Sequence, residues 1–351
     1  MQPRKLRFAI LGCGFWAGYQ IPAWLELKDD AELIALYNRT IDKARAFADR
    51  YNVPHVYDDA DILLNKHAHE LDFIDIITDV HTHPLFTFKG AEKGLAVITQ
   101  KPMAPDLVTA KRMVDFCNKK KVKFFVHENF RWQAPIQKVK DLLHQNKIGK
   151  PFRCRLSFLT AFPVFNNQPA LRELKDMIIA DLGSHTLDIA RFFFGEVDYL
   201  YCQANSIMPD IKGEDVASIL LTHTNGVHTF VEMSFATRHV SDAFPQTTAF
   251  IEGSAGSISL DKDFSVTVTT SQSVDQFKAP PVHYKWVNPD YAVVHSSIVS
   301  CNRNLLNDLL TKGKAGTTGM DNYKTMQLVY AAYESARNNK IAFITETGNE
   351  G

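Results

Sequence analysis

A two-part α/β fold is what the sequence predicts: a doubly wound parallel sheet at the N-terminal end, then an α/β domain with an open, mostly antiparallel sheet. Three observations carry that prediction. From Lys5 to Val126, short apolar runs rich in β-formers alternate with helical stretches of about ten residues or more, the pattern of βαβ units. After residue 127 the strand-like runs instead alternate apolar and polar residues, as in a sheet buried on one face only. Finally, the first apolar run ends in Gly12-Cys13-Gly14-Phe15-Trp16-Ala17, a glycine turn that leads straight into a helix.

Taken in order, Lys5–Leu11 is the first strand and Glu32–Tyr37 the second, with a helix between them. Ile41–Tyr51 is helical, Leu71–Thr78 a strand, Pro84–Lys93 helical and Leu95–Thr99 a strand. Pro105–Lys119 is helical, and Lys123–Val126 ends the parallel series. A boundary is expected there, giving a dinucleotide-binding domain over 1–126 and a second domain over 127–351. In the second domain Phe152, Cys154, Leu156 and Phe158 alternate with Arg153, Arg155 and Ser157, and Val227, Val231, Met233 and Phe235 repeat that period. Ile258–Leu260 and Phe264, Val266 and Val268 form a hairpin that turns at Asp261-Lys262-Asp263. Asp181 opens a helix that runs to Phe194, and Asn322–Asn338 is a further helix, a candidate to pack back on the first domain.

Composition narrows the function. The chain has 351 residues, 39 Lys plus Arg against 39 Asp plus Glu, and 45% hydrophobic residues, an ordinary globular mixture that speaks against a generally basic nucleic-acid binder. The five cysteines are scattered and form no Cys-x-x-Cys pair, which favours a reducing, cytoplasmic setting. No apolar run approaches the ~20 residues of a membrane span. Arg4, Lys5 and Arg7 before an apolar stretch imitate a signal peptide, but the glycine pattern explains that stretch better. His81-x-His83 and His67-x-His69 have chelating spacing without an evident third ligand, so no metal is expected.

In the glycine turn, Gly12 allows the tight bend, Gly14 lets a pyrophosphate approach the backbone, and Ala17 permits close packing of helix on strand. The helix start supplies amides and a partial positive charge. Gly12, Gly14, Phe15, Trp16 and Ala17 are therefore candidate cofactor contacts. The second strand ends in Asn38-Arg39-Thr40, where an acid would bind the ribose of NAD. Asn38 can bond a ribose without repelling a 2′-phosphate and Arg39 can pair with that phosphate, so NADP is favoured over NAD.

Three further segments carry chemistry-bearing residues. Gln100-Lys101-Pro102 follows a predicted strand, with Pro102 holding Lys101 extended so that its ammonium is aimed above the sheet. His127-Glu128-Asn129-Phe130-Arg131 stands at the domain junction. Asp181-Leu182-Gly183-Ser184-His185 opens a helix, and its spacing of four sets Asp181 and His185 on one side.

Together these segments resemble the Gfo/Idh/MocA family, that of glucose-fructose oxidoreductase and inositol dehydrogenase. The resemblance runs from the Gly12 loop through Thr78 with His83, Gln100-Lys101-Pro102, Asn129-Phe130-Arg131, Ile148-Gly149 and Asp181-x-x-x-His185 to Gly253-Ser254-Ala255-Gly256. It implies a Rossmann domain followed by an α/β domain whose open sheet often mediates homodimer or homotetramer contacts. It also implies hydride transfer between a nicotinamide and a carbinol carbon of a sugar, inositol or related polyol. In the family the triplet is usually Glu-Lys-Pro, so Lys101 matches the catalytic lysine while Gln100 stands where the acid is usual. His185 would take the hydroxyl proton, Lys101 would stabilise the oxygen, and Asp181 would bind a neighbouring hydroxyl. The resemblance adds Thr78, His83, Gln100 and Lys101 to the candidate cofactor contacts. Lys101, Asn129, Arg131, Asp181 and His185 become candidate substrate contacts. Two alternatives share the fold: an NAD-dependent glycosidase-type hydrolase and a non-catalytic NADPH-binding sensor. No nucleic-acid or membrane partner is expected.

Overall fold

The computed structural model describes residues 4–239, 246–311 and 313–344. The chain divides into two compact units, Met1–Asn129 with Tyr284–Val287 and His295–Lys324, and Phe130–His283 with Asn288–Val294 and Thr325–Gly351.

The first unit opens with β1 (Leu6–Leu11), α1 (Ala17–Leu25), β2 (Ala31–Tyr37), α2 (Ile41–Tyr51), β3 (His55–Tyr57) and α3 (Ala60–His67). It continues with β4 (Phe73–Ile76), α4 (His83–Glu92), β5 (Ala96–Gln100), α5 (Leu107–Lys120) and β6 (Phe124–His127). The six strands form one sheet in the order β3-β2-β1-β4-β5-β6, every pairing parallel. Ile10, Ile74, Val97 and Ile98 are fully buried, as apolar runs must be in a sheet covered on both faces. Strand order reverses between β1 and β4, and in such sheets ligands bind beyond the carboxyl ends of the strands at that point. The register aligns those ends: Leu11 pairs with Tyr37 and Ile76, Ile76 with Thr99, and Gln100 with His127. The glycine loop, Asn38–Thr40, Thr78, Lys101 and Glu128 therefore leave the sheet along one edge.

Two elements here were absent from the sequence reading. β3 is too short to show a period. α3 has its own start signal, Asp59, whose carboxylate accepts the N–H groups of Asp61 and Ile62.

The second unit contains α6 (Ala134–His144), β7 (Pro151–Leu159), α7 (Val164–Asn167), a π-helical turn over Ile179–Gly183 and α8 (Ser184–Phe194). The strands β8 (Val197–Asn205), β9 (Val216–His223), β10 (His228–Ser234), β11 (Thr248–Gly253), β12 (Gly256–Leu260), β13 (Ser265–Thr270) and β14 (Val274–Lys278) follow. α9 (Ala292–Leu310), which belongs to the first unit from His295 on, α10 (Gly319–Asn338), which belongs to the second from Thr325 on, and β15 (Ala342–Phe343) follow. The sheet order is β14-β13-β12-β11-β7-β10-β9-β8-β15, antiparallel except for β7 with β10. Leu260 pairs with Val266 and Ile258 with Val268, the hairpin that the sequence predicts. Phe152 departs from the expected alternation and is 49% exposed, because the β7–β11 register slips between Glu252 and Gly253, opposite this residue. α6 and α8 cover one face of the sheet. Across the other runs a row of directly paired residues, Phe250, Arg155, Phe230 and Leu220, in which the two phenylalanines are 46% and 44% exposed.

Candidate active site

The glycine loop has the form of an anion cradle. Gly12 has φ +115°, and a Cβ there would lie 2.8 Å from the Ile77 carbonyl carbon and oxygen, so only glycine lets the loop close on the end of β4. A Cβ on Gly14 would meet nothing within 4 Å, so that residue faces open space. α1 begins without a capping side chain and without an acid in its first turn. The N–H groups of Gly14, Phe15 and Trp16 find no acceptor among the described residues, and neither does the buried indole Nε1 of Trp16. A helix start left open in this way fits the pyrophosphate of a dinucleotide.

Asn38 plays a part that the sequence did not reveal. Its Oδ1 accepts the Cys13 N–H at 3.0 Å while its Nδ2 donates to the Thr40 carbonyl at 2.8 Å, which ties the glycine loop to the end of β2. Arg39 beside it is exposed. α1 is gripped from its side rather than its end. The buried Asp75 carboxylate on β4 accepts Gln20 Nε2 and Trp24 Nε1, each at 2.7 Å, and Gln20 Nε2 also reaches Asn302 on α9. Burial raises the Asp75 pKa to about 6, against the two hydrogen bonds that lower it.

Beyond β4, Thr78 accepts the Thr82 hydroxyl at 2.7 Å. The ring of His83 lies between two carbonyls, Thr78 at 3.2 Å from Nε2 and Pro102 at 3.1 Å from Nδ1. Burial lowers the His83 pKa, so at neutral pH the uncharged ring donates to one carbonyl at a time. His83 thus joins the β4 loop to the loop that carries Lys101. Lys101 directly follows β5 and is half-buried. Just before it, Thr99 Oγ1 and Gln100 Nε2 are buried without a partner among the described residues. At the end of β6, Asn129 is buried and donates to Ser297 of α9 at 2.8 Å. The same helix lays His295 against Tyr19 of α1, ring centroids 4.0 Å apart, and burial pushes the His295 pKa down to about 4. No local pattern marks residues so late in the chain as neighbours of the glycine loop.

In the second unit Arg131 is buried and committed, donating through Nε to Asp188 of α8 at 2.6 Å and again through Nη2. Thr325 adds a hydroxyl to the same carboxylate at 3.1 Å. Phe130 stacks on His185, centroids 3.7 Å apart and nearly parallel, which fixes the plane of the imidazole. The turn Phe130–Trp132 therefore grips α8 twice, at His185 and at Asp188. Asp181 lies in the π-helical turn, so the predicted run from Asp181 to Phe194 is a helix whose first turn is one residue wider than an α-helix.

The structure thus brings Gly12, Gly14, Asn38, Thr78, His83, Gln100 and Lys101 to one edge of the first sheet. It sets Asp181 and His185 on one helix of the second unit. Among the described residues no His, Cys, Asp or Glu cluster could hold a metal ion, and no helix is long and apolar enough to cross a membrane. All five cysteines are buried and none is in a disulfide.

Residues 6–128 match the family model described as the GFO/IDH/MocA oxidoreductase family, NAD-binding Rossmann fold, and residues 136–259 match the GFO/IDH/MocA C-terminal domain. The chain is 39% identical to a D-apiose dehydrogenase of Rhizobium rhizogenes, over 98% of this chain and 99% of that one. It is 38% identical to a D-apiose dehydrogenase of Paraburkholderia graminis, over 95% and 88%. The crystal structure of an oxidoreductase from Agrobacterium radiobacter in complex with NAD+, L-tartaric acid and magnesium superposes with a TM-score of 0.94 at 39% identity, covering 97% of this chain and 99% of that one. Family models matched over residues 6–128 and 136–259, together with full-length similarity, place this chain in the Gfo/Idh/MocA family of oxidoreductases.

Proposed function

We propose that the protein is an NAD-dependent sugar dehydrogenase whose substrate is an aldose of the apiose type. The observation that carries this is full-length similarity to two D-apiose dehydrogenases in a chain that carries Lys101, Asp181 and His185. A bound nicotinamide supplies the hydride acceptor. The residues of this chain do the rest. His185, its ring plane fixed by Phe130, takes the hydroxyl proton as hydride leaves the same carbinol carbon, so that one C–H and one O–H bond break and a C=O bond forms. Lys101 donates to the oxygen while its negative charge develops. Asp181 accepts from a neighbouring hydroxyl and orients the sugar.

Asn129 and Arg131 act in this reading as positioning residues, since Ser297 and Asp188 already occupy them. NAD is the proposed cofactor, in line with the NAD+ complex of the Agrobacterium radiobacter protein, and Arg39 gives tolerance of NADP. Cytoplasmic residence agrees with five cysteines outside any disulfide. The exposed row Phe250, Arg155, Phe230 and Leu220 is the proposed contact with a second copy of the chain. Sedimentation then gives a dimer or tetramer; a monomer at micromolar concentration rejects that contact.

The experiment is turnover of NAD+ with D-apiose and other pentoses. Reduced nicotinamide accumulates with the wild type, and Lys101→Ala or His185→Asn lowers kcat roughly 10²–10⁴-fold while nucleotide affinity holds. Full activity in both variants removes their assigned roles.

A further inference from the structure

The helix that carries Asp181 and His185 starts with four N–H groups that no earlier helical turn can satisfy. Two residues far away in the sequence take all four. Glu214, in the loop before β9, accepts the Met177 N–H at 3.1 and 3.2 Å and the Ile179 N–H at 3.2 Å through its carboxylate, and the Ile178 N–H at 3.3 Å through its backbone carbonyl. The Tyr333 hydroxyl on α10 accepts the Ala180 N–H at 2.9 Å and donates to Glu214 Oε1 at 2.7 Å. The loop is pressed against this start: a Cβ on Gly213 would lie 2.6 Å from the Leu174 carbonyl oxygen and 2.9 Å from Met177 Cβ. A negative carboxylate at a helix start also answers the positive end of the helix dipole.

Immediately after this clamp comes the π-helical turn Ile179–Gly183, which contains Asp181. A π turn is an α-helix with one extra residue, and such turns persist where the surroundings hold them, commonly at functional sites. On the far side α8 is held by Phe130 on His185 and Arg131 on Asp188. With both ends fixed, the extra residue has nowhere to go. Released at its start, the segment can return to regular α-helix, which turns everything before Ser184 by about 100° relative to His185.

We propose that Glu214 and Tyr333 are positioning residues of the dehydrogenase reaction, which clamp the helix start so that the π turn keeps Asp181 in register with His185. This rests on the roles given to Asp181 and His185 above. Because His185 has its own support from Phe130, loss of the clamp acts first through Asp181 and substrate orientation.

The test uses Glu214→Ala, Tyr333→Phe and the conservative Glu214→Gln in the full chain. Glu214→Ala and Tyr333→Phe are expected to raise the sugar KM about 10-fold and to lower kcat, with NAD+ affinity changed less than twofold, while Glu214→Gln, which keeps an acceptor, recovers most of the loss. Amide exchange of residues 177–183 is expected to speed up at least about 10-fold in the first two variants, with 186–190 still protected. Kinetic constants within twofold of wild type in both variants overturn the positioning role, even where the melting temperature falls. Unchanged exchange overturns the clamp. A wild type that reduces no NAD+ with any sugar defeats the dehydrogenase reading instead, and the exchange measurement then still decides the clamp.

Discussion

Two helix starts in this protein solve the same problem in opposite ways. α1 begins with uncapped amides and is held along its flank, through Gln20 and Trp24 on Asp75. The helix of Asp181 and His185 begins with every amide taken, by Glu214 and Tyr333. The difference reflects what each end is for. An open start gains a partner only when an anion arrives; a filled start gains none and instead fixes the side chains just after it. Holding α1 from the side is what allows its end to stay empty.

The largest effect that sharpens this contrast is expected in the loop before α1. Gly14→Ala puts a methyl group where the structure has open space, so the melting temperature stays near wild type while nucleotide affinity falls about 100-fold, as isothermal titration would show. Gly12→Ala, strained at positive φ and pressed on Ile77, loses stability as well; equal melting temperatures for the two variants would contradict the distinction.

A middle-sized effect comes from the grip on the flank of α1. The folded-state pKa of Asp75 is raised to about 6 from 3.8, so the folded chain holds this proton more tightly than the unfolded chain does. Its stabilising contribution is complete below the unfolded value and fades as pH rises through about 6. Asp75→Asn keeps an acceptor for Gln20 and Trp24 without the charge. It should raise the unfolding free energy at pH 8, by an amount on the order of 2–3 kcal/mol, and the gain should shrink toward pH 4. An equal change at both pH values would remove the buried charge as its cause.

The smallest effect concerns the adenosine end. Arg39→Ala should weaken NADP binding about 10-fold and leave NAD within twofold, because Arg39 is exposed and only a 2′-phosphate gives it a partner. Comparable losses for both nucleotides would mean that Arg39 does not discriminate between them.

The contrast also separates what was legible in the sequence from what was not. The open start could be read because its parts are contiguous: a strand, Gly12, Gly14 and Ala17 in one loop. Strand periods located β7, β10 and the β12–β13 hairpin for the same reason, since alternation is a local signal. Phe152 escaped that reading because a bulge is set by the partner strand. The filled start was invisible, since Glu214 and Tyr333 lie far along the chain and neither resembles a cap next to the helix that it caps. Asn38 reads as a ribose ligand, and only the fold shows that its amide also ties Cys13 to Thr40. His295 and Ser297 belong to the first unit although they lie late in the chain, a pairing that no local pattern announces.

The most direct measurement follows the hydride itself. With an aldose deuterated at the carbon bearing the reacting hydroxyl, wild-type protein and NAD+ should yield reduced cofactor one mass unit heavier, and His185→Asn should bind NAD+ equally well yet yield almost none. Unlabelled reduced cofactor, or label transferred at the wild-type rate by His185→Asn, would contradict the account.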